Sequence, residues 1–196
     1  MIAVYLTHPQ IVIDPSIPVP DWSLSELGKA RVSAILSKPW LARIGRIVSS
    51  EERKATQTAA MIADELSLGV ETRAYMGEND RSATGFIPPE KFEAAADAFF
   101  GAPETSYRGW ERAIDAQARI VAAVDAALRQ DVATPVLFVG HGGVGTLLKC
   151  HLAGVPIRRL DQPPGGGNIF AFGLADRRLL CDWTPMETFE GDFDGA

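Results

Sequence analysis

The stretch 135–148 constrains this chain more than any other. Val136, Leu137, Phe138 and Val139 follow a proline, and three of these four are β-branched or aromatic, as in a strand buried on both faces. Gly140-His141-Gly142-Gly143 ends that strand, and residues 144–152 turn apolar at helical spacing. Strand, tight glycine turn and helix start, in that order, set an imidazole at the carboxyl end of a strand. In open α/β sheets that edge is where ligands bind. The free N–H groups of a new helix favour an anion there.

The chain opens the same way. Residues 1–6 (Met-Ile-Ala-Val-Tyr-Leu) read as a buried strand, closed by Thr7-His8-Pro9. Two of the three histidines therefore share one topological position. Pro9, Pro15, Pro18 and Pro20 exclude a helix or central strand over 9–22, which reads as an ordered surface loop. Ser23-Leu24-Ser25-Glu26 is a capping-box pattern, followed by a helix with Leu27, Ala30, Ala34 and Ile35 inward as far as Pro39. A short strand over 46–49 precedes a helix over 51–66, with Ala55, Ala59, Ile62 and Leu66 inward. Arg53 and Lys54 lie in its first turn, where cations are unfavourable unless an anion meets them.

Extended chain is expected over 70–75, a polar loop over 77–82, and helices over 89–100 and 110–130, the second with Ile114, Val121, Val124 and Leu128 inward. A glycine-rich turn at 163–168 leads to a strand pair, 169–172 and 179–183, around Ala175-Asp176, and an acidic tail begins at Thr184. Strands and helices alternate without repeats or a linker. The pattern predicts one domain over 1–196, a three-layer α/β/α arrangement with a mostly parallel central sheet.

The net charge of −6 argues against a nucleic-acid partner, and no apolar run approaches a membrane span. Any phosphate pocket must then be locally basic against an acidic background. Cys150 and Cys181, in no metal-like or CxxC spacing, read as reduced thiols. With no basic leader at the N-terminus, a cytoplasmic enzyme-sized domain is expected.

Two histidines at strand ends, a basic helix start and a loop carboxylate point to phosphoryl transfer. An imidazole nitrogen attacks phosphorus and holds the phosphoryl group covalently. Positive donors neutralise its oxygens, and an acid protonates the leaving oxygen. In this order and spacing the motifs resemble the histidine phosphatase (phosphoglycerate mutase-like) superfamily over residues 1 to about 172. Thr7-His8-Pro9 stands where that family has Arg-His-Gly. Residues 49–59 (Ser-Ser-Glu-Glu-Arg-Lys-Ala-Thr-Gln-Thr-Ala) match its Ser-Ser-x-x-x-Arg-Ala-x-x-Thr-Ala helix start, with Lys54 at the arginine position and Arg53 one residue off. Gly77-Glu78 fits the Leu-x-Glu loop, His141-Gly142-Gly143 the later His-Gly-Gly signature, and Leu24-Ser25-Glu26-Leu27-Gly28 the family's Leu-Ser/Thr-x-x-Gly helix start.

The resemblance implies a phosphoglycerate mutase-like fold and a phosphorylated small-molecule substrate, with no metal and no nucleotide cofactor. It implies His8 as phosphorylated nucleophile, Glu78 as proton donor and later base, and His141 as stabiliser of the transferring group. Lys54 would clamp a phosphate oxygen, with Arg53 as fallback and Gly142 as a further contact. Arg81, three residues after Glu78, is a second source of positive charge, and Asn168 a candidate for the pocket mouth. The departures matter: Thr7 lacks an arginine's charge, Lys54 its bidentate fork, and Pro9 an N–H. Hydrolysis is therefore expected rather than mutase chemistry, which asks for a more positive pocket. The alternative is a non-catalytic anion-binding domain on the same fold.

Overall fold

The computed structural model describes residues 1–129 and 134–191. Along the first half run β1 (Ile2–Thr7), α1 (Glu26–Ile35), β2 (Arg46–Ser50), α2 (Arg53–Leu66) and β3 (Val70–Arg73). Then come α3 (Pro89–Gly101), α4 (Ala113–Leu128), β4 (Val136–Gly140), α5 (Gly142–Leu152), β5 (Asn168–Gly173) and β6 (Thr184–Pro185). Among the described residues the strands form one sheet in the order β3-β2-β4-β1-β5-β6. β1 to β4 are mutually parallel where they pair, whereas β5 runs antiparallel to β1, and β6 to β5.

Alternation along β1 builds the two faces. Ala3 and Tyr5 join Phe138, Phe170 and Phe172 against α3, α4 and α5. Val4 and Leu6 join Leu137, Val139 and Ile169 against α1 and α2. β1 from Ala3 onward and all of β4 are buried, as their unbroken apolar runs require. The fold is the three-layer α/β/α arrangement.

Several local expectations shift. The helix α1 begins after Ser25, not Ser23: the Ser25 Oγ accepts the Gly28 N–H at 3.1 Å. Its inner face is Gly28, Val32 and Ile35, while Leu27 is 59% exposed. Gly28 sets that phase. A Cβ there would stand 2.2 Å from the Gln10 carbonyl oxygen, so only glycine lets the helix rest on the loop that leaves His8. On α4 the buried stripe runs through Ala113, Ala116, Ile120, Ala123, Val124 and Ala127, so Val124 faces inward as expected, while Ile114 is exposed and Val121 and Leu128 lie at the margin. The expected end of that helix at Gln130 lies outside the described residues.

The closing pair is also different. Leu179 makes only a single bridge to Phe172, and the strand partner of β5 is Thr184–Pro185. The segment expected to be an acidic tail instead packs back through Met186 and Phe189. Arg31 fastens it with paired bonds to Glu187, 2.5 and 3.0 Å. Apolar residues at 186 and 189, spaced three apart, outweigh the acidic Glu187 between them. Residues 192–196 lie outside the described part.

Candidate active site

Register places the two histidines. Thr7 pairs with Gly140 across β1 and β4, and the His8 N–H continues the ladder to the Gly140 carbonyl at 3.0 Å. Each imidazole therefore follows its strand at one level of the same sheet edge. Their ring centroids lie 5.3 Å apart, at 68° to each other. The His8 Nδ1 is 2.8 Å from the Pro9 carbonyl oxygen, which assigns the ring proton to Nδ1 and leaves the Nε2 lone pair free. Burial, then the neighbouring His141, lower the His8 pKa to about 3, against the opposing Pro9 bond, so the ring is neutral at ordinary pH.

His141 is fully buried at the foot of α5. The Tyr5 hydroxyl holds its backbone from both sides, accepting from the His141 N–H at 3.1 Å and donating to its carbonyl at 3.2 Å. The His141 Nε2 lies 2.8 Å from the Ser50 Oγ. Its Nδ1, equally buried, has no partner among the described residues. A Ser50 hydroxyl donating to Nε2 fixes the proton on Nδ1, leaving one N–H donor unspent. Burial depresses the His141 pKa against the pull of Glu52 and Glu78.

Glu78 does arrive here, by an unexpected route. Its carboxylate sits on the N-terminus of α5, accepting from Gly143 at 3.0 Å, Val144 at 2.9 Å and Asn79 at 3.1 Å. That contact is why the motif carries a second glycine: a Cβ on Gly143 would lie 2.6 Å from the Glu78 Oε1. Burial works against its charge, but His141, Arg81 and the Gly143 N–H hold its pKa below the usual carboxylate range. The anion expected at this helix start is thus the protein's own side chain.

Lys54 is buried against the same hollow, but it is not free. Its Nζ donates to Glu52 and, at 2.9 Å, to the Val19 carbonyl. The Glu52 Oε1 in turn accepts the Glu78 N–H at 2.7 Å and lies 3.5 Å from the His141 Nε2. Burial opposes ionisation of Glu52, yet His141, Lys54 and the Glu78 N–H bring its pKa down to about 2. The sequence motifs do not single out Glu52. Its position, two residues past the end of β2 on the ligand-binding edge, was the available signal.

The remaining expectations divide. Arg53 is exposed and outside the hollow, because α2 turns its first residue to solvent while its second points inward; it is not a phosphate contact. Arg81 and Gly142 both line the hollow, with the Arg81 guanidinium 5.0 Å from the Phe92 ring centre and 5.7 Å from that of Trp110. Asn168 is buried in β5 rather than at the mouth, its Nδ2 donating to the Pro163 carbonyl. Thr7, at the arginine position of the resemblance, accepts the Asn168 N–H on its Oγ1 at 2.9 Å. Among the described residues no group of three or more His, Cys, Asp or Glu is placed to hold a metal, and no helix is long and apolar enough to cross a membrane.

These ionisations share one sign. Folded His8 and His141 stay neutral below 6.5, where the unfolded chain takes up protons, so acidification favours unfolding. Glu52 and Glu78, depressed below 4.5, contribute stability above that value that is lost as pH falls, for Glu52 towards about 2. The urea midpoint is expected to drop steadily from pH 7 to pH 4, and His8→Asn to flatten the slope between pH 6.5 and 5. A midpoint constant over that range contradicts the buried neutral pair.

Strand order, a histidine pair on one sheet edge and a helix start capped by Glu78 characterise this class of α/β fold. The sequence matches the family model of the histidine phosphatase superfamily (branch 1) over residues 17–171, and the chain belongs to that superfamily. Solved structures share the fold. A mycobacterial glucosyl-3-phosphoglycerate phosphatase in complex with VO3 superposes with a TM-score of 0.77 at 22% identity, covering 94% of this chain and 98% of its own. A phosphoserine phosphatase mutant from Entamoeba histolytica, in complex with phosphoserine, gives 0.75 at 14% identity, covering 95% and 98%. YhfR of Bacillus stearothermophilus gives 0.74 at 19%, covering 94% and 96%. No curated protein sequence matches the chain.

Proposed function

We propose that this chain hydrolyses a phosphorylated small molecule through a phosphohistidine at His8. The observation that carries the reading is the facing pair: a neutral His8 with its Nε2 lone pair free, 5.3 Å from a His141 ring whose Nδ1 has no partner among the described residues. The His8 Nε2 attacks phosphorus while the bond to the ester oxygen breaks. His141 Nδ1–H and the Lys54 ammonium receive the phosphoryl oxygens. Bound anionic charge raises Glu78 from its depressed value, so it takes the proton of a monoanionic ester and passes it to the leaving oxygen. Water then attacks the phosphohistidine, giving its proton to Glu78 and releasing phosphate. Two phosphatases among the structural neighbours support the class. Two free cysteines, Cys150 buried, fit a reducing cytoplasmic setting.

A second reading, an anion-binding domain without turnover, is favoured by the Lys54–Glu52 pair and by a neutral Thr7. A labelled phosphomonoester, quenched in alkali, separates the two. The expected result is a base-stable, acid-labile adduct, absent from His8→Ala. No adduct, with phosphate bound but never released from an ester panel, leaves the binding reading.

A further inference from the structure

The hollow above His8 is far larger than a phosphate needs. It measures about 1170 Å³, and beyond the histidines its walls are mostly hydrocarbon. Trp22 and Phe86 meet edge to face at 5.7 Å on the side of the proline loop, with Ile17 at the rim. Phe92, Phe99 and Trp110 form the opposite side. Both indole N–H groups are already spent, Trp22 on the Asp14 carbonyl at 2.8 Å and Trp110 on the Thr84 hydroxyl at 2.8 Å. The aromatic side chains of these walls therefore offer ring faces, not donors.

Two of the wall cations are likewise committed. Lys54 is held by Glu52, and Arg159 by Glu93 and Asp97. Arg81, with no carboxylate within salt-bridge reach among the described residues, lies over the Phe92 and Trp110 rings. The other ionisable wall groups, Asp80 and Asp161, are acidic. The aromatic walls themselves offer a polar body no hydrogen bonds, so hydroxyls laid against them would go unpaired. An apolar body would remove hydrocarbon wall from water at no such cost.

We infer that the substrate, on the phosphatase reading above, is the phosphate monoester of an apolar, ring-bearing or chain alcohol. Calorimetric titration with (naphthylmethyl)phosphonate and methylphosphonate tests the inference apart from turnover. The aromatic ligand is expected to bind on the order of thirtyfold more tightly. Phe86→Ser, and Ile17→Ser at the exposed rim, should each narrow that ratio severalfold. Equal affinities, or a ratio that both variants leave intact, overturn the inference. Turnover of 3-phenylpropyl phosphate and propyl phosphate, whose leaving oxygens are equally basic, completes the separation. Hydrolysis of both at the same kcat/KM removes the apolar preference and keeps the phosphatase. Hydrolysis of neither, with the aromatic phosphonate still preferred, removes the phosphatase and keeps the apolar ligand.

Discussion

Glu52→Gln is expected to tighten the binding of inorganic phosphate about tenfold to a hundredfold at low ionic strength. Glu52, its pKa about 2, is fully ionised at neutral pH and stands on the Lys54 ammonium. An incoming anion must compete with it. Two unit charges near 4 Å interact by about 4 kcal/mol at the effective dielectric of a protein surface, and even half of that spans more than a factor of ten. The amide keeps a carbonyl oxygen for the Glu78 N–H, so the loop carrying Glu78 stays in place. The same substitution leaves a buried lysine uncompensated, so thermal stability should fall in phosphate-free buffer and return when phosphate is added. Calorimetry at pH 6.5 measures the affinity, and melting with and without phosphate measures the linkage. An unchanged Kd would falsify the view that this carboxylate holds the pocket's cation in check.

Tyr5→Phe should cost about 1–3 kcal/mol of stability and lower turnover together. The phenol is wholly buried in β1, and burial holds its pKa well above the normal range, so it acts as a fixed hydroxyl. Its oxygen accepts the His141 N–H and its proton goes to the His141 carbonyl, which also accepts the Gly145 N–H at 3.0 Å, so phenylalanine orphans the buried His141 N–H. Ring packing survives the change, since the stack on Phe170 at 5.1 Å needs no oxygen. A loss confined to kcat with an unchanged urea midpoint rejects this account of how His141 is seated, as does wild-type behaviour in both.

Much of this was legible in the sequence, and the reason is local. The runs at 2–6 and 136–139 are strands of one sheet, and a histidine following each marks the edge of the candidate site without any knowledge of distant contacts. Lys54 was legible because a cation in a helix's first turn is electrostatically odd and demands an anion. What the sequence does not reveal is which anion answers: Glu52 does, from the residue just before α2, and only the turn between β2 and α2 brings them together. Arg53 and Lys54 are chemically alike and adjacent, and helix phase alone sends one outward. The same phase error hid the true inner face of α1, which depends on contact between Gly28 and Gln10. Tyr5 and Ser50 looked like strand residues and nothing more. Their roles come from hydroxyls reaching across to a partner 136 and 91 residues away.

The separation of the two imidazoles is a property of the main-chain ladder between β1 and β4, where Thr7 faces Gly140. The surrounding enclosure, by contrast, is contributed by the proline-rich stretch after His8, the turns that follow Glu78 and one side of α3. Reactive geometry and ligand choice are consequently inherited through different parts of the polypeptide. Lineages are free to rewrite what enters the chamber, residue by residue, while the spacing that makes the chemistry feasible stays under the guard of backbone pairing.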